Sequence, residues 1–153
     1  MSAREAFLPD LAATEALAAA LAAAQPTRAV VFLEGDLGAG KSSLARAWLR
    51  ALGVRGAIKS PTYTLVERYP LPAGEAAHLD LYRLAGAAEL DFLGLDELAA
   101  EAALWLVEWP DRGQGGLPPP DLWVRLAVEG RGRRARLEAT SPAGEAWLAR
   151  TRI

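Results

Sequence analysis

Gly35-Asp36-Leu37-Gly38-Ala39-Gly40-Lys41-Ser42 is the stretch whose reading decides the rest of this chain. It satisfies G-x-x-x-x-G-K-[ST] at every fixed position. Glycines let the backbone wrap so that successive N–H groups point inward at phosphate oxygens. Gly40 and Lys41 open a helix, whose positive N-terminal end favours an anion. In such a loop the lysine reaches the β- and γ-phosphates and the serine hydroxyl ligates Mg²⁺. The expectation is binding of ATP with Mg²⁺. No N/T-K-x-D run, the usual guanine reader of phosphate-loop GTPases, occurs in the chain.

The flanks agree with the loop. Residues 29–33, Ala-Val-Val-Phe-Leu, read as a strand buried on both faces. Residues 41–52 read as a helix with Leu44, Ala45, Trp48 and Leu52 on one face and Gly53 as its stop. Residues 10–24 form an Ala/Leu-rich helix, with Leu11, Leu17 and Leu21 on one face, ended by Pro26 and Thr27. Downstream, Pro61 disfavours helix at Ser60, so Ser60-Pro61-Thr62 is extended or turned. Residues 63–69 and 76–82 read as antiparallel strands around a turn at 70–74. Short helices follow at 87–93 and 96–103, then a second buried strand at 104–107. Residues 111–120 are a Gly/Pro-rich loop, and 122–128 and 134–139 pair as strands around Gly130 and Gly132. A helix at 142–150 closes the chain, capped by Ser141 with Pro142 in its first turn. The whole reads as an α/β fold in one domain, 1–153.

Composition narrows the function classes. A length of 153 residues suits one core, and the formal charge of −2 is not the basic footprint of a dedicated nucleic-acid binder. Arg131, Arg133, Arg134 and Arg136 are a local exception, readable as a solvated hairpin or as a phosphate-binding patch. No apolar run approaches the roughly 18 residues of a membrane span, and residues 1–7 do not read as a secretory signal. The absence of cysteine excludes disulfides, thiolate catalysis and Cys-ligated zinc, and makes the cytoplasm the default compartment. Of 17 Lys and Arg residues only Lys41 and Lys59 are lysines, so a compact ammonium persists inside the glycine-rich loop.

Hydrolysis needs groups that order the metal and the attacking water. Glu108 follows the apolar strand 104–107, a Walker B pattern, though it also reads as an exposed acid ending a strand. In His78-Leu79-Asp80-Leu81-Tyr82, alternation puts His78, Asp80 and Tyr82 on one face and Leu79 and Leu81 on the other. Asp80 reads equally as a site acid or a solvent-facing one. His78 is the sole histidine, so it reads as a structural hydrogen-bonding group rather than a zinc ligand. Thr62 reads as a γ-phosphate sensor or a turn threonine. Trp109, directly after Glu108, points away from the site or stands at its rim.

Four segments together carry a resemblance: Gly35 through Ser42, Lys59-Ser60-Pro61-Thr62-Tyr63-Thr64-Leu65-Val66, His78-Leu79-Asp80-Leu81-Tyr82-Arg83-Leu84 and Val107-Glu108-Trp109-Pro110. In this order and spacing they resemble the TsaE (YjeE) family, small bacterial ATPases needed for threonylcarbamoyladenosine at tRNA position 37. The resemblance implies a single phosphate-loop NTPase domain, three-layer α/β/α with a mixed parallel/antiparallel sheet. It implies ATP and Mg²⁺ as ligands, TsaD and TsaB as partners, indirect contact with tRNA, and ATP hydrolysis that resets the complex rather than transferring the threonylcarbamoyl group. Carried over by residue, Lys41 matches the phosphate lysine and Ser42 the metal-ligating hydroxyl, the pair Ser42-Ser43 standing where Thr-Thr is commoner and keeping both hydroxyls. Thr62 matches the switch threonine, Asp80 the site aspartate, Glu108 the metal-coordinating acid and Arg133 an arginine near the nucleotide. The competing reading is a small-molecule kinase, but the longest candidate lid, 111–120, carries only Arg112.

Overall fold

The computed structural model describes residues 2–153; Met1 of the expected 1–153 unit lies outside them. Seven strands form one sheet: β1 (Ala3–Leu8), β2 (Ala29–Glu34), β3 (Val66–Leu71), β4 (Gly74–Asp80), β5 (Ala102–Glu108), β6 (Leu122–Glu129) and β7 (Gly132–Ala139). Their order is β1-β7-β6-β2-β5-β4-β3. The inner strands β6, β2, β5 and β4 run parallel, and antiparallel pairs extend both sides, so the sheet is mixed. β2, read as a central strand, lies between β5 and β6, and all seven residues of β5 are buried.

Helices cover both faces, giving three layers. On one face lie α1 (Leu11–Ala24), α2 (Lys41–Ala51) and α4 (Pro142–Arg150). Their Leu17, Leu21, Leu44, Trp48, Trp147 and Leu148 pack on Val31, Leu33, Leu104, Leu106 and Val124. Trp48 and Trp147 meet edge to face at 5.7 Å, and each indole N–H is satisfied, by Gln25 and by the Leu21 carbonyl. The other face is thinner. There α3 (Leu95–Glu101) and two 3₁₀ helices, Ala87–Leu93 and Pro110–Gly113, cover Phe32, Leu79, Leu81, Trp105 and Val107. Ser141 caps α4 by accepting the Gly144 N–H at 2.9 Å, as its sequence suggests.

Local readings change at several element ends: residues 102 and 103, read as helix, open β5, and β4 stops at Asp80 rather than 82. β3 begins at Val66 rather than 63, because 61–64 turn and Leu65 takes a left-handed φ of 69°. The turn at 70–74 shrinks, because both flanking strands extend into it until Pro72 and Ala73 alone connect them. β1 has no counterpart in the sequence reading. Its residues, Ala-Arg-Glu-Ala-Phe-Leu, lack a β-branched run, and only Leu8 is buried. Pairing with β7 makes it a strand, which is tertiary context overriding propensity. Arg4 on β1 then donates to the Leu148, Thr151 and Ile153 carbonyls, a cation at the C-terminal end of α4.

Candidate functional site

β2, β4 and β5 are parallel or share a parallel neighbour, so their C-terminal ends lie on one sheet edge, where open α/β sheets build their sites. The glycine-rich loop leaves β2 there and turns into α2. Two of its glycines are required by geometry. A Cβ on Gly35 would sit 2.5 Å from the Leu126 carbonyl oxygen of β6. Gly40, the residue that opens α2, has φ +106°, which side-chain-bearing residues rarely adopt. The Lys41 ammonium folds back inside the loop and donates to the Gly35 and Asp36 carbonyls, the latter at 3.1 Å. Burial lowers its pKa, opposed by the charges of Glu108, Asp80 and Asp36.

The register of β4 on β5 sets Asp80 beside Glu108. Both are buried, as is His78. Alternation holds: Leu79 and Leu81 join the thinner core, while His78 and Asp80 face the α2 side. The Ser42 hydroxyl lies 3.2 Å from each oxygen of Glu108. His78 Nε2 lies 2.6 Å from Glu108 Oε2. Asp80 accepts the Tyr82 N–H at 3.1 Å, and the Thr62 hydroxyl stands 3.5 Å from its Oδ2. Ser60 and Thr62 hydroxyls meet at 2.7 Å, tying the turn together.

A cleft of about 300 Å³ opens over these groups. Leu37, Gly38, Gly40, Lys41, Ser42 and Ser43 line its loop side. Thr62, Asp80, Glu108 and Arg133 line the rest, with Tyr82 and Trp109. Of the residues expected at the site, Gly35, Asp36 and Ala39 do not face this cleft; they line a groove on the β6 side of the loop.

Arg133 reaches the loop from β7, donating to the Ala39 and Gly38 carbonyls at 3.1 Å each. The neighbouring arginines behave differently. Arg134 pairs with Glu129, and Arg136 lies within 4.0 Å of Glu5 and 3.8 Å of Glu138. Arg112 donates to the Tyr82 carbonyl and lies over the Tyr82 ring.

Sequence reasoning underused Tyr82 and left Trp109 open. Trp109 follows a buried residue yet turns into the cleft, because its φ is +56° rather than extended. Its ring then lies 4.4 Å from the Lys41 ammonium and 4.9 Å from Tyr82. Leu65 and Trp109 are the non-glycine residues with positive φ among those described, and both adjoin the site. Such backbone strain gathers where a site is held in shape. Nothing in the one-dimensional pattern signals it; the H-x-D-x-Y alternation did signal Tyr82.

Burial is the main cause that raises the Asp80 pKa; the Tyr82 N–H opposes it and the Glu108 charge adds to it. A carboxyl with a raised folded pKa contributes stability that is full below its ordinary value of about 4 and is lost as pH rises through the folded value. Asp80→Asn should therefore raise the melting temperature at pH 7, with the gain shrinking toward pH 4. Melting curves across that range check it; a lower melting temperature at pH 7 would contradict it.

The profile of the family described as Threonylcarbamoyl adenosine biosynthesis protein TsaE matches residues 8–136. The tRNA threonylcarbamoyladenosine biosynthesis protein TsaE of Haemophilus influenzae is 42% identical over 116 residues, covering 76% of this chain and 73% of that protein. The Bacillus subtilis protein of the same name is 34% identical over 121 residues, covering 79% and 75%. The crystal structure of Bacillus subtilis YdiB superposes with a TM-score of 0.81 at 26% identity, covering 97% of this chain and 93% of that one.

Proposed function

The chain belongs to the TsaE family, and from that membership we propose that it binds and hydrolyses ATP in the service of threonylcarbamoyladenosine formation on tRNA. ATP and Mg²⁺ are its ligands, TsaD and TsaB its partners, and the cytoplasm its place of action. tRNA is reached through the partners. The threonylcarbamoyl group is transferred elsewhere in that assembly, and hydrolysis here resets the assembly between rounds. One observation carries the nucleotide reading: the Ser42 hydroxyl and the Glu108 carboxylate meet at 3.2 Å beside Lys41, at the N-terminus of α2.

Each group has a part in the proposed chemistry. Phosphate oxygens meet the backbone N–H groups of the loop and the Lys41 ammonium, which exchanges the Gly35 and Asp36 carbonyls for them. Arg133 braces the loop through the Gly38 and Ala39 carbonyls. Ser42 and Glu108 offer hard oxygen donors, the set that suits Mg²⁺, which takes one or two protein ligands beside phosphates and waters. Mg²⁺ held by Ser42 and Glu108 would neutralise charge on the nucleotide's phosphate oxygens. Both Glu108 oxygens are engaged by Ser42, and Oε2 also by His78. Among the described residues, Asp80 Oδ2 has only the long Thr62 contact. Asp80 is therefore the group that orders the attacking water and accepts its proton at Oδ2, and a raised pKa suits that task. Thr62 reports the γ-phosphate to its turn, and Tyr82 and Trp109 wall the cleft. Asp80→Asn should lower turnover by about 100-fold or more with ATP affinity little changed, in a phosphate-release assay beside a binding titration.

Arg133 is spent on loop carbonyls, and Arg112 on Tyr82. Turnover by the isolated chain is thus slow, and a partner completes the site. The test is capture of this chain on a TsaB–TsaD complex with and without ATP, with phosphate release measured in parallel. Expected are nucleotide-dependent capture and a faster rate on adding the complex. Capture indifferent to ATP, with an unchanged rate, would overturn the proposal.

A further inference from the structure

His78 and Glu108 form a buried pair, each 2% exposed. Nε2 of the ring lies 2.6 Å from Glu108 Oε2, while Nδ1 is buried and has no hydrogen-bond partner among the described residues. Together these contacts assign the tautomer. An ionised carboxylate only accepts, so Nε2 carries the proton. His78 is thereby a donor aimed at one oxygen of Glu108.

We propose that His78 is the positioning residue of the cation site, fixing the Glu108 carboxylate for a divalent ion through the Nε2–Oε2 contact. The inference rests on the proposed role of Ser42 and Glu108 as cation ligands. A glutamate has three side-chain torsions before its carboxylate oxygens, and several rotamers are open to one left unsupported at a strand end. His78 comes from the adjacent strand, where the register pairs it with Leu106, two residues behind the Asp80–Glu108 pair. Its ring reaches forward to Oε2. Oε1 is left with the Ser42 hydroxyl as its hydrogen-bond partner. Asp80, the other acid at the site, makes its hydrogen bonds to Tyr82 and Thr62 and is not part of this contact. Lysine or arginine at this position would also orient the carboxylate, but would neutralise the charge that the cation needs and compete with it. The imidazole N–H orients it through a single hydrogen bond to Oε2.

Loss of such an outer support lowers metal affinity by about 10- to 100-fold. The test titrates Mg²⁺ against binding of a fluorescent ATP analogue by wild type, His78→Leu and His78→Gln, with a parallel titration of the analogue in EDTA. His78→Leu is expected to raise the half-saturating Mg²⁺ concentration by about 10- to 100-fold, with affinity in EDTA unchanged. His78→Gln, whose amide N–H reaches to a similar depth, is expected to restore the wild-type midpoint. Should the leucine variant fail to fold, His78→Asn replaces it: its amide stops short of Glu108, so it should lose the midpoint that Gln keeps. An unshifted Mg²⁺ midpoint in folded Leu or Asn variants overturns the proposal. So does a Gln variant no better than they are, or loss of affinity in EDTA as well. Wild-type binding that ignores Mg²⁺ has a different meaning: it removes the cation reading of Ser42 and Glu108, and the role of His78 with it.

Discussion

Replacing Lys41 by alanine should weaken ATP binding by about 100-fold or more. The ammonium lies along the inside of the loop, on the Gly35 and Asp36 carbonyls, at the mouth of α2. Each hydrogen bond to a charged group contributes about 1.5–3 kcal/mol. Two such bonds to phosphate give at least about 3 kcal/mol, and each 1.4 kcal/mol is tenfold in affinity. No comparable loss is expected in the fold. Burial lowers the Lys41 pKa, so its charge costs stability at every pH below the folded value, and the cost disappears above the ordinary lysine value near 10.4. Alanine removes that cost at pH 7. Calorimetric titration with ATP and a melting curve separate the two effects. Near-wild-type affinity in Lys41→Ala would remove the loop from the binding site.

Glu108→Gln should reduce Mg²⁺-dependent hydrolysis by about two to three orders of magnitude, because metal-mediated charge stabilisation is worth several kcal/mol and each 1.36 kcal/mol is tenfold in rate. Affinity for ATP in EDTA should change little. Glutamine is preferred to alanine on structural grounds. Its carbonyl oxygen can still accept from His78 and its amide can face Ser42, so it removes the charge and keeps the shape. Alanine would leave the buried His78 with neither nitrogen paired, at a cost of about 1–3 kcal/mol, and would mix lost stability with lost chemistry. Single-turnover phosphate release over a Mg²⁺ series checks the expectation. Wild-type hydrolysis in Glu108→Gln would remove Glu108 from the chemistry.

Local sequence made some of the site legible. The loop is contiguous, so its spacing alone predicted an inward-facing backbone, and Gly35 and Gly40 stand where a side chain could not. Asp80 and Glu108 were legible as residues at strand ends, but each had a bland alternative. Burial and register set them side by side. The arginine cluster shows the limit of pattern. Arg133 and Arg134 are adjacent, yet one braces the loop and the other pairs with Glu129, because successive residues of a strand face opposite sides. Trp109 was undecidable in one dimension, since its direction depends on a left-handed φ.

By itself the sequence determined the glycine-rich loop, the buried strand and amphipathic helix that flank it, and the α/β alternation. These depend on residue spacing within single elements. Only the tertiary structure decided that β1 is a strand, that Ser42 meets Glu108 across 66 residues of chain, and that His78 donates to that same carboxylate. Those contacts join different elements, and strand order and register, fixed by burying both sheet faces at once, bring them together. The loop at residues 35–42 is therefore complete in the sequence, whereas Asp80 and Glu108 are brought beside it by the sheet.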